Sequence, residues 1–291
     1  MNKTKLLGHI YAIITIVVWG SCFVLTKNLL VDYTPIQIIP LRMGLAYLTL
    51  WALRPKFFKL KWKDELRFLL IGITGGSFYF FLQNTALNHT YAANVSILVA
   101  MSPILTVLLA ALFNRRGEKL GRKVYIGAAF AIVGVVLVVL NGQLTFHLSP
   151  LGDLLALAAG LMWAVYSILI KPYTENCDNF LVTRRVFLWA FITSIPLCLF
   201  TDGLPTLTPL FTQPNVLVSW LFLGVMGNAV CFAIWNIAFK ALGVVVTNNY
   251  LYASPSVTVF VGWLLLREPI SLMSIIGAVL ITIGVIFAQK E

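Results

Sequence analysis

Charge is what this 291-residue sequence has least of: Asp, Glu, Lys and Arg together make up 11%, against about 25% in soluble globular chains. With 60% hydrophobic residues and a mean hydropathy of +0.92, that deficit excludes an ordinary soluble domain. Acidic residues are the scarcer sign, 10 against 21 basic ones. None lies in the middle of an apolar run; Asp32, Glu118, Asp153, Asp178 and Glu268 are all near run ends or in loops. The buried carboxylate that would couple a proton to an organic cation is therefore missing. The three histidines, His9, His89 and His147, also sit near run ends and form no metal spacing. With no His–Ser set or carboxylate pair at membrane depth, an intramembrane enzyme lacks its catalytic groups. No metal site and no cofactor is expected. The four cysteines, Cys22, Cys177, Cys198 and Cys231, form no CxxC pair and read as small packing residues. No polar stretch is long enough for a soluble domain, which leaves a membrane scaffold or sensor as a remote alternative.

What is present is apolar sequence in lengths suited to a bilayer, where a helical span needs about 20 residues. Runs fall at about 7–26, 35–53, 68–88, 91–113, 124–140, 150–170, 186–201, 216–239, 241–266 and 269–288. Each is expected to be a helix, because lipid offers backbone groups no other partner. The fold class is thus all-α and integral to the membrane, with ten transmembrane helices. The first run has the basic flank of a signal peptide but no convincing cleavage site, and is read as a retained helix.

The basic residues orient these spans. Numbering from an inside N-terminus, all but Lys27, Arg42 and Arg267 fall at inside positions, including Lys56, Lys59, Lys61 and Lys63 after span 2 and Arg115, Arg116 and Lys119 after span 4. Cationic residues concentrate on the cytoplasmic side of membrane proteins. Both termini are therefore expected in the cytoplasm, and the high pI is a mark of orientation rather than of a nucleic-acid surface.

The sequence also repeats itself. Ser102, Pro103, Thr106 and Val107 return 152 residues on as Ser254, Pro255, Thr258 and Val259, and Gly72, Gly75 and Asn84 return as Gly224, Gly227 and Asn236. In the first span of each half, Gly8, Trp19 and Lys27 return 144 residues on as Gly152, Trp163 and Lys171. The order is collinear, giving two repeats at 7–141 and 150–288. Five spans per repeat is an odd number, so the second copy enters the membrane inverted. The charges agree: the loop after span 4 reads RRGEKLGRK, while its counterpart after span 9 reads REP. Inverted repeats with a site near the midplane are characteristic of secondary transporters.

Ten spans, a Trp in the first span of each repeat, and "SP…E" leading into "IGA…GV" resemble the EamA family of the drug/metabolite transporter superfamily. The resemblance runs from about Gly8 to Ala288. It implies a ten-helix carrier of small metabolites whose central cavity is lined by spans 1, 3, 4, 6, 8 and 9. It also implies that spans 5 and 10 are peripheral, able to pack together or to form a homodimer. The lipid bilayer and a small-molecule substrate are the expected partners. Export of neutral or aromatic amino acids is the leading expectation, with a multidrug or organic-cation exporter as the alternative. Localisation is expected in the cytoplasmic membrane, the inner membrane of a double-membraned cell.

Within those spans, polar and aromatic side chains are the candidates for the cavity, since amides facing lipid are costly. They are Trp19 and Ser21 in span 1; Tyr79 and Gln83 in span 3; Asn94 in span 4; Trp163 and Tyr166 in span 6; Trp235 and Asn236 in span 8; and Asn248 and Tyr252 in span 9. The same residues can equally serve as contacts between helices. Pro103 and Pro255 lie mid-span and deprive the carbonyls of Val99 and Leu251 of their helix partner, which marks candidate hinges. Arg42 is the strong charge inside a span, about two turns deep; its repeat counterpart is read as Arg185. It is a candidate anion contact or gate partner, or a snorkelling or structural Arg.

Overall fold

The structure is a computed structural model; it describes residues 3–57, 60–90, 92–113, 122–140, 149–266 and 272–289. All regular structure among them is helical. In chain order the helices are α1 (Lys3–Leu29), α2 (Ile38–Leu53), α3 (Trp62–His89), α4 (Ala92–Val99), α5 (Ser102–Phe113), α6 (Arg122–Leu140) and α7 (Pro150–Asn176). They continue as α8 (Asn179–Phe200), α9 (Thr208–Thr212), α10 (Pro214–Leu242), α11 (Val244–Asn248), α12 (Ser254–Leu266) and α13 (Leu272–Gln289). Helices α1, α3, α7, α8 and α10 are long and apolar enough to cross a membrane; α2 is shorter. The apolar surface left outside is large, with Leu48, Phe200 and Phe260 more than half exposed, as lipid rather than water would require.

Two kinds of irregularity shape the bundle, and each occurs twice. Helices α3 and α10 contain π-helical segments, Ile73–Ser77 and Phe222–Val230. The repeated Gly-x-x-Gly register falls on them: Gly72 immediately precedes the first segment and Gly75 lies in it, while Gly224 and Gly227 both lie in the second. The wider turn of a π segment takes carbonyls out of the usual ladder. The runs read as continuous spans 4 and 9 are each broken. The break falls at Ala100–Met101 in the first and at the 3₁₀ stretch Asn249–Ala253 in the second. Pro103 and Pro255 are the second residues of α5 and α12, where a missing N–H costs least. The carbonyls they would orphan are taken locally: Ser102 Oγ donates to Val99 O, and the Ser254 N–H donates to Leu251 O.

Packing contacts come in exchanged pairs. A Cβ added at Gly75 would stand 2.1 Å from the Tyr166 ring, and one at Gly227 would stand 2.8 Å from Cys22 Sγ. Gly72 packs on Trp189 as Gly224 packs on Leu45, and Gly8 meets Ala241 as Gly152 meets His89. In every pair each residue is replaced by its repeat mate, 144 or 152 positions on. The same exchange holds for hydrogen bonds: Ser96 Oγ lies 3.2 Å from Thr258 Oγ1, and Asn248 Nδ2 donates to Thr106 Oγ1 at 3.1 Å. Helices α6 and α13 pack along each other, with Phe130 and Phe287 at 6.3 Å between ring centroids.

The two ends of the bundle differ in charge. At one end Arg54 pairs with Asp178, Arg185 with Glu65 and Arg67 with Asp64, Tyr173 donates to Asp64, and Arg184, which donates to the carbonyls of Arg54 and Lys56, adds with Lys56 positive charge beyond these balanced pairs. At the other, Gln213 donates to Asp32 and Tyr33 donates to Thr206 O. We call the first the basic face.

Candidate functional site

A narrow cavity of about 40 Å³ opens among α1, α2, α3, α4, α7, α10 and the broken α11–α12 segment. Its wall includes Trp19, Arg42, Tyr79, Gln83 and Trp163, together with Cys22, Phe23, Phe80, Ser96 and Phe232. Along α1 and α3, which both leave the basic face, these residues fall beyond the midpoint, so the cavity lies in the half of the bundle away from that face. In the other half a second pocket opens at the basic face among Tyr47, Trp51, Glu65, Arg184 and Arg185, while the helix crossing beneath the first cavity is closely packed. Trp235, Phe239 and Tyr252 are buried there, and His9 Nδ1 lies 2.6 Å from Tyr250 OH.

The floor is aromatic. Trp19 meets Trp163 and Phe232 edge to face at 5.1 and 5.2 Å, and Trp235 at a tilt at 4.9 Å. Edge-to-face pairs of this kind contribute about 0.5–1.5 kcal/mol each beyond burial. Both indole N–H groups are fixed. Trp19 Nε1 donates to Gly227 O at 2.8 Å, a carbonyl within the π segment of α10, and Trp163 Nε1 donates to Asn248 Oδ1 at 3.2 Å.

Arg42 is 2% exposed, just over one turn into α2, so it does not snorkel. Its Nε and Nη2 donate to Asn228 Oδ1 at 3.1 and 2.8 Å, Nη1 reaches Thr26 Oγ1 at 3.4 Å, and its guanidinium carbon lies 4.4 Å above the Phe80 ring. The exchanged pair Gly72–Trp189 and Gly224–Leu45 sets the register of α2 against α8 at 144 and corrects the assignment of Arg185. Val186 is the mate of Arg42, and Arg185 faces Glu65 at 3.4 Å.

The other expected residues are distributed as follows. Tyr166 and Asn236 form a layer behind the floor: Tyr166 OH donates to Asn236 Oδ1 at 3.1 Å, and Asn236 Nδ2 donates to Thr183 Oγ1 at 2.9 Å. Asn248 donates to Thr106 and Ser167 as well as accepting from Trp163. Trp235 is fully buried against the floor. Ser21 turns back to Val17 O on its own helix, and Tyr252 is buried in the core; neither lines the cavity. The side chain of Asn94 lies outside the described residues. Sequence reasoning missed Cys22, Phe23, Phe80 and Phe232, which look like any lipid-facing residue in an apolar run, and Asn228, the partner of Arg42. No group of His, Cys, Asp and Glu suited to a metal exists among the described residues.

A helical bundle with an apolar exterior, and a narrow cavity that mixes aromatic rings with a buried cation, has the make-up of a polytopic membrane protein. The model of the EamA-like transporter family matches twice, at residues 6–140 and 150–289. The chain belongs to this family, and it is a multi-pass membrane protein. A probable amino-acid metabolite efflux pump of Escherichia coli (strain K12) is 28% identical over 94% of this chain and 92% of its own length. The aromatic amino acid exporter YddG of Salmonella typhimurium (strain 14028s / SGSC 2262) is 29% identical over 66% of this chain and 65% of its own length. A crystal structure of a protein superimposes with a TM-score of 0.76 at 21% identity, over 98% of this chain and 96% of the other, and speaks for the fold alone.

Proposed function

We propose that this protein is a carrier, not an enzyme, that exports neutral or aromatic amino acids across the cytoplasmic membrane by alternating access. The architecture proposed is ten spans in two inverted five-helix repeats, 7–141 and 150–288, with both termini and the basic face cytoplasmic. The exchanged contacts support it, because a twofold arrangement is the one in which residue i meets j and the mate of i meets the mate of j. The broken segments before Pro103 and Pro255 serve as hinges, and the two π segments let helices shift without losing their backbone bonds. In this reading the described state is closed at the cytoplasmic end, with Trp235, Phe239 and the His9–Tyr250 contact as the plug. A homodimer through α6 and α13 belongs to the same proposal, favoured by their exposed apolar faces, including Tyr125, Val133, Ile275 and Val279.

The observation that carries the reading is the aromatic floor where repeat mates Trp19 and Trp163 meet. Aromatic faces can pack an apolar side chain and attract an ammonium group. The names of the two relatives above point to the same cargo. The test is counterflow in liposomes holding the purified protein, over neutral amino acids, organic cations and sugars, with and without a pH gradient. Trans-stimulated uptake of neutral amino acids is expected. Counterflow confined to cationic dyes would sink the amino-acid reading.

A further inference from the structure

Arg42 is buried and has no carboxylate partner among the described residues. The ion pairs among the described residues, Arg54–Asp178, Arg67–Asp64 and Arg185–Glu65, all lie at the basic face, and none includes it. A guanidinium has five N–H donors. Three are used here, two on Asn228 Oδ1 and one on Thr26 Oγ1. Two have no hydrogen bond to a described residue, in a side chain that forms part of the cavity wall. A neutral amide orients the guanidinium without neutralising it, and a buried cation without an anion is costly.

The fold does not need a charge at this place. The mates of Arg42 and Asn228 are Val186 and Gly76, so the equivalent crossing in the other half is built without a polar pair. Both members of the pair differ together from their mates. The cavity wall holds polar Gln83 and Ser96 and the rings of Tyr79, Trp19 and Trp163 together with the cation.

We propose that Arg42 is the carboxylate subsite of the cavity, so that the carried molecule must present a carboxylate to it, and organic cations lacking one are refused. This rests on reading the cavity as the substrate site. The remaining N–H donors meet the carboxylate as charge-assisted hydrogen bonds, and the apolar remainder of the ligand lies on the aromatic floor. The subsite fits α-amino acids and simple monocarboxylates with an apolar or aromatic tail.

The test is equilibrium binding to the purified full-length protein of three probes that share a ring: L-phenylalanine, L-phenylalanine amide, which lacks the carboxylate, and 3-phenylpropionate, which lacks the ammonium. Wild type is expected to prefer phenylalanine to its amide by about 10- to 100-fold, the range for charge-assisted hydrogen bonds. Arg42→Met should lose that preference, and Arg42→Lys should keep part of it. If Arg42→Met does not fold, the wild-type comparison of acid with amide decides alone. Equal binding of acid and amide overturns the subsite while leaving the amino-acid reading intact. Arg42-dependent binding of phenylpropionate without binding of phenylalanine supports the subsite and overturns the amino-acid reading. Binding of the amide alone, or of none of the three by monodisperse protein, overturns both.

Discussion

Trp19 and Trp163 stand edge to face, ring centroids 5.1 Å apart and planes at 87°. They are repeat mates, 144 residues apart. In a twofold arrangement a residue can touch its own mate only at the axis, so this contact puts the proposed axis through the cavity floor. Trp163→Phe keeps a ring there but drops the N–H that Asn248 accepts. It should fold with little loss and lower transport about tenfold, the value of one to two hydrogen bonds. Trp163→Ala should abolish transport. Full activity in Trp19→Ala, Trp163→Ala and Trp235→Ala alike would refute the cavity assignment.

Asn228 tests whether the cation of Arg42 is kept for a ligand. Asn228→Asp would answer it inside the protein. Thermal stability should hold or rise, while carboxylate binding should weaken at least about tenfold, because the site is neutralised. Asn228→Leu removes the acceptor of two guanidinium donors and should destabilise the protein by about 1.5–3 kcal/mol, seen as a lower melting temperature in detergent.

Gly75 tests the close crossing of α3 and α7. An added Cβ would sit 2.1 Å from the Tyr166 ring. Gly75→Ala should cost about 1–3 kcal/mol by overpacking. Tyr166→Leu in the same chain should recover part of that loss, since contacting sites couple. Additive losses in the double variant would show that the crossing does not determine the penalty.

The repeat was legible in the sequence because Trp19, Asn84 and the Ser-Pro pairs are unusual residues in apolar helices and recur in one order. The breaks before Pro103 and Pro255 were legible only as kinks. Proline removes a donor, but how Ser102 and Ser254 satisfy the freed carbonyls depends on three-dimensional geometry. The π segments were not legible, since their glycines read as ordinary small residues in a span. Composition identifies a polar residue in a span but not its direction when every side of the helix is apolar. Ser21 and Tyr252 were therefore expected in the cavity, while Phe80 and Phe232, which do line it, gave no signal. Asn228 escaped notice because its meaning lies in Arg42, 186 positions away.

The most direct test of a substrate cavity between the two halves uses Cys22 in its wall. Cys22 is itself buried in the described state, as are Cys198 and Cys231, so its labelling requires the cavity to open. Cys177, at the basic face, has its thiol pKa raised by burial and by Asp64. With the other three replaced by Ser, membrane-impermeant thiol reagent should label Cys22 from the side opposite the N-terminus, and saturating substrate should slow labelling about tenfold or more. Labelling from that side at the same rate with and without substrate would contradict the account.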